Sequence, residues 1–127
     1  MTEAAFSPQA YLENLIPVVE RLAAPTTTQM AWLDENGLPI DELMLFLDDL
    51  MPGLPLAVAP GAVTKAAEAA VSDVHGFLLA MRSNADLFED IDAVETERTL
   101  KMAPEWNRVR ELAEIALREL NCARLDP

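Results

Sequence analysis

The stretch Pro39-Ile40-Asp41-Glu42-Leu43-Met44-Leu45-Phe46-Leu47-Asp48-Asp49-Leu50-Met51-Pro52-Gly53 decides the fold class. Pro39 and the acids Asp41 and Glu42 suit the first turn of an α-helix, where a proline needs no donor and the macrodipole favours negative charge. At about 100° per residue, Ile40, Leu43, Met44, Phe46, Leu47, Leu50 and Met51 share an arc of roughly 160°. Asp41, Glu42, Asp48 and Asp49 fall on the opposite side, with Leu45 in the middle of that acidic stripe. Pro52-Gly53 stops the helix.

The same periodicity recurs outward from this segment. Downstream, Leu54-Pro55-Leu56-Ala57-Val58-Ala59-Pro60-Gly61 reads as an extended connection, because each proline biases its predecessor away from the α region. A long helix is expected over 62–82. Its residues Val63, Ala67, Ala70, Val74, Phe77 and Met81 step by fours and threes as a heptad seam. A second stripe of small residues (Ala62, Ala66, Ala69, Gly76, Ala80) runs beside the seam and predicts that this is the central helix, flanked on two sides. Asn84 caps a short turn carrying Leu87, Phe88 and Ile91. Asp92 with Glu95 forms a capping box for a helix to Met102. Pro104 opens the last helix, in which Trp106, Val109, Ala113, Ala116, Leu120 and Ala123 form the apolar face and Arg110, Glu114 and Arg118 pair along the flank.

Upstream, Ser7 is an N-cap and Pro8 suits the first helical position. Leu12, Leu15, Ile16, Val19, Leu22 and Ala23 follow at helical spacing. Pro17 interrupts them and predicts a kink or a split. Thr26 with Gln29 signals a capping box for a second helix ending at Asn36-Gly37. A small β-hairpin about Asn36-Gly37, spanning 30–37, is the rival; Pro39 and the acidic helix start that follow favour the helix. The expectation is an all-α single domain over residues 1–127, a bundle of five or six helices, with Phe46, Leu47, Leu50, Val74, Phe77, Leu120, Trp32 and Trp106 in the core.

Composition sets the function classes. Hydrophobic residues make up 51% of 127 residues, enough for one core, and no apolar run approaches the roughly 18–20 residues of a membrane span. The N-terminus has no basic region of a signal peptide, and Cys122 is the only cysteine. Both suit a cytoplasmic protein without an internal disulfide. Twenty-two acids against nine bases give a net charge of −13, and residues 1–60 hold nine acids and a single base, Arg21. Such a field repels nucleic acid and anionic membrane and attracts basic proteins.

No residues assemble into a catalytic or cofactor signature. The acidic stripe lacks the loop of an EF-hand and the Glu-x-x-His pairs of a di-iron bundle. His75 is the only histidine and is read as a structural or surface residue. Cys122, near Arg118 and Arg124, is read as a packing residue. The expected function is therefore a small acidic protein-binding module without catalytic activity, cofactor or metal. Its partner-binding residues are Asp41, Glu42, Leu45, Asp48 and Asp49, and its partner is a basic protein. An immunity-type or antitoxin-type inhibitor fits that description. The alternatives are a homo-oligomer with a structural role and a carboxylate-based metal-binding protein or enzyme.

Overall fold

The computed structural model describes residues 6–88 and 92–125, with side chains as far as Asn121. Among these residues every regular element is helical. There are six helices of nine residues or more: α1 (Pro8–Ala23), α2 (Thr26–Asn36), α3 (Glu42–Leu50), α5 (Lys65–Met81), α6 (Ala93–Met102) and α7 (Pro104–Leu125). The five-residue α4 (Leu54–Val58) lies between α3 and α5.

Several termini form as the local chemistry dictates. Ser7 accepts the Ala10 amide at the start of α1, and Asp92 accepts the Glu95 amide at 2.8 Å at the start of α6. Thr64 does the same for α5 through the Ala67 amide. Alpha-helix α1 runs unbroken through Pro17. Pro17 and Glu13 are both exposed, so the missing helical hydrogen bond lies on the solvent side of α1.

The hairpin at 30–37 does not form. Gly37 alone is left-handed there (φ 61°), whereas a type I′ turn needs positive φ at Asn36 as well. The amides of Gly37 and Leu38 instead bond the carbonyls of Asp34 and Leu33, a Schellman close to α2. The stretch 54–61 is also not extended. Pro52 and Pro55 each sit in the first turn of a helical segment, where the missing N–H costs nothing. Burial of Leu54 and Ala57 selects the helical turn over the local bias against it.

The axis of the bundle is α7, not α5. Its buried face (Trp106, Val109, Ala113, Ala116, Leu120) packs chiefly against α5 and α1. Ala113 and Ala116 on α7 and Ala67 and Ala70 on α5 are all buried, and small side chains let packed helix axes approach. The second stripe on α5 is solvent-facing: Ala66, Ala69, Gly76 and Ala80 are exposed and Ala62 is half-buried. Ala123 and Ile91 lie outside the described side chains. Arg110 turns to Gln29 on α2 rather than to Glu114.

Of the residues expected in the core, Leu47, Val74, Leu120 and Trp106 are buried, while Leu50, Phe77 and Trp32 are half-buried. Phe46 is 39% exposed. The buried arc of α3 is narrower than the apolar arc in the sequence: Leu43, Met44 and Leu47 face the core, and Phe46 lies beyond its edge.

Gln29 is fully buried, and the capping box expected of it is absent. Its Nε2 donates to the carbonyls of Arg21 (3.1 Å) and Leu22 (3.2 Å) at the end of α1. Its Oε1 accepts from Arg110 at 2.9 Å. Tyr11 makes another long-range bond, donating its hydroxyl to the Leu50 carbonyl at 2.6 Å and so closing the end of α3 onto α1. Gly53 makes this possible, since a Cβ there would sit 2.7 Å from Tyr11 Cε1. Gly53→Ala should therefore displace a buried ring and destabilise the fold by about 1–3 kcal/mol. A fall in the urea midpoint without change in slope checks this.

Candidate functional site

Helices α1, α2 and α3 bring together one aromatic–cation cluster at the surface. The guanidinium of Arg21 lies 3.8 Å from the Trp32 ring centroid and 5.7 Å from that of Phe46. The two rings meet edge to face, 5.3 Å apart at 78°. Arg21 extends from the last turn of α1, where a cation also complements the helix dipole. Burial pulls its pKa below the ordinary arginine value, and it remains charged at any physiological pH. It makes no ion pair among the described residues; stacking on Trp32 is its principal contact.

Beside this cluster runs a groove of about 310 Å³ lined by Glu13, Asn14, Pro17, Val18, Arg21, Phe46, Asp49 and Leu50. Its wall is half-exposed aromatic and aliphatic surface, and its rim carries Glu13 and Asp49.

The five residues expected to form a partner-binding stripe are dispersed by the packing of α3. Asp49 is exposed and belongs to the groove. Asp48 turns the other way and meets His75 of α5, Oδ1 to Nε2, at 2.8 Å. Leu45 is half-buried and packs against the core. Asp41 and Glu42 are half-buried at the start of α3, and Asp41 Oδ1 is buried without a hydrogen-bond partner. The stripe is thus divided because α3 is held from two sides, by α1 and by α5.

His75, read from the sequence as a structural or surface residue, ties α5 to α3. The side chain of Cys122 lies outside the described residues, as does that of Arg124. Among the described residues no three carboxylate, imidazole or thiol groups converge as metal ligands, and no helix is long and apolar enough to cross a membrane. The ion pairs Lys65–Glu68, Glu95–Arg98 and Arg108–Glu111 lie one helical turn apart on exposed surface, where each contributes little. No protein-family model, curated protein or solved structure matches the chain.

Residues missed from the sequence are Arg21, Trp32 as a surface ring, Phe46 as an exposed ring, and Glu13. One signal was available. Arg21 is the only base among the first sixty residues, and a lone cation in an acidic half marks a position with a specific partner.

Tyr11 fixes the Leu50 end of α3 and hence where Phe46 and Asp49 stand. Burial pushes its phenol up to about 12. Between pH 10 and 12 the native state keeps a proton that the unfolded chain has lost, so stability is full below pH 10 and falls across that window. The loss should be roughly 2–3 kcal/mol, at 1.36 kcal/mol per pH unit. Tyr11 is the only tyrosine, so tyrosinate absorbance reports it directly. Tyr11→Phe should remove this component of alkaline destabilisation.

Proposed function

We propose that this protein is a non-catalytic binding module that engages a basic protein partner through the acidic surface of α1 and α3. The observation that carries this reading is the exposed Phe46, held edge-on to Trp32 beside a groove rimmed by Glu13 and Asp49. A large ring at the surface inside an acidic rim has the anatomy of an interface anchor with a polar surround. The net charge of −13 steers cationic partners toward it. Within this class an inhibitor of the immunity or antitoxin type, masking a basic toxin, fits the size and the charge.

Of the residues assigned from sequence, this reading keeps Asp49, which lines the groove. Leu45 and Asp48 serve the junction of α3 with the rest of the bundle. A second reading, a homo-oligomer, draws on the exposed small-residue side of α5 with Leu79, 40% exposed, on the same helix. A sedimentation mass that rises with concentration would favour it.

The test begins with affinity capture of a partner and proceeds to titrations at two ionic strengths. Phe46→Ala should weaken binding by about 1–3 kcal/mol at both, as loss of a buried anchor does. Asp49→Lys should weaken it mainly at low salt, where rim charge accelerates association. Leu45→Ala should cost stability rather than affinity. Equal affinities for wild type and Phe46→Ala would remove the cluster from the interface.

A further inference from the structure

The outer ridge of α1 holds a helix-breaking residue at its midpoint, between two open grooves. Gln9, Glu13, Pro17 and Glu20 lie exposed along this ridge. On one flank is the groove bearing Arg21, Phe46 and Asp49. On the other, a groove of about 790 Å³ separates the ridge from Gly61 and Ala62 and is floored by Leu12 and Ile16. Glu13 and Pro17 line both.

Proline is the residue least compatible with a helix interior, and α1 keeps one in its middle. Pro17 has no N–H to give to the Glu13 carbonyl four residues earlier, and its ring crowds that oxygen. The ridge therefore carries, on exposed residues, the Glu13 carboxylate and a backbone carbonyl to which residue 17 gives no hydrogen bond. Glu20 stands one turn beyond Pro17 and Asp49 across the smaller groove. The surface is acceptor-rich, with Val18, Phe46 and Leu50 lining the smaller groove and Leu12 and Ile16 among polar neighbours in the larger, and its one cation, Arg21, stacks on Trp32.

We propose that the α1 ridge centred on Glu13 and Pro17 docks an arginine-bearing segment of the partner. This deepens the reading of a basic partner and rests on it. A guanidinium donates to the freed Glu13 carbonyl and to the Glu13 carboxylate, and apolar side chains on either side of that arginine settle into the two grooves. The planar fork of arginine supplies several donors to acceptors of different kinds at once, which a lysine ammonium does as a point charge only. The acidic rim selects against acidic peptides and nucleic acid by simple repulsion.

Amide chemical shifts of the intact protein, titrated with a short capped peptide of alternating leucine and arginine and with its lysine counterpart, test this. The arginine peptide should shift resonances over 9–21 and 46–49 and bind more tightly than the lysine peptide. Pro17→Ala restores the missing helical bond, so it should raise the melting temperature while weakening the arginine peptide by roughly tenfold, the scale of one hydrogen bond to a charged group. Glu13→Gln should weaken it more than Glu97→Gln, which removes the same charge from the exposed surface of α6. Wild-type affinity in Pro17→Ala, or equal losses in Glu13→Gln and Glu97→Gln, would overturn the assignment. Binding with shifts confined to another face would overturn the ridge and leave the basic-partner reading standing. No binding of either peptide at low ionic strength would overturn both.

Discussion

A buried amide and a half-buried guanidinium hold four helices to one another. Gln29 of α2 gives both protons to the last carbonyls of α1 and takes a hydrogen bond from Arg110 of α7. Arg110 in turn donates to the Leu100 carbonyl near the end of α6 and to Asn107 Oδ1 at 2.7 Å. Two helix C-termini, each with carbonyls left over and a partial negative charge, thus converge on one donor system. Burial lowers the Arg110 pKa from its ordinary value without discharging it. Each buried group left unpaired would cost about 1–3 kcal/mol, so the node is stable only when complete. Around it the apolar contacts of α7 with α1 and α5 fall into place.

The fold class was legible in the sequence because periodicity is a local property. The caps at Ser7 and Asp92 and the apolar face of α7 are written within a turn or two of the residues that make them. What was not legible depends on which surface meets which. The core edge of α3 was misplaced by one position, since Phe46 and Leu43 differ in burial only through the neighbours that α1, α2 and α5 supply. Gln29 read as a cap for its own helix, a bond to a residue three positions away, and instead bonds carbonyls seven and eight residues back and a side chain eighty-one residues on. The small-residue stripe of α5 read as a second packing face, but small residues suit a solvated helix face equally well, and tertiary packing left most of it exposed.

The candidate site was legible in part. The acidic excess of the first sixty residues drew attention to the half of the chain that carries α1 and α3, and of the five stripe residues only Asp49 lines the groove beside Phe46. The stripe as a whole did not survive folding, because Asp48 is drawn to His75 and Leu45 to the core. In its place stands a surface made from three helices: Glu13, Pro17 and Arg21 from α1, Trp32 from α2, Phe46 and Asp49 from α3. These positions are far apart in sequence and share no motif, so only their convergence shows them. The division follows from packing, since Asp48 faces α5 and meets His75 there, whereas Glu13 and Asp49 face water.

A double-mutant cycle between Gln29→Leu and Arg110→Met, read by urea unfolding, measures the interaction on which this arrangement depends. Apolar replacements of similar length separate the pairing from simple loss of packing. Each single variant should be strongly destabilised, and the double variant less than additively, with a coupling of about 1–3 kcal/mol as expected for a buried, charge-assisted bond. Additive losses, with coupling below about 0.5 kcal/mol, would show that α1, α2, α6 and α7 are held by their apolar faces alone, contrary to this account.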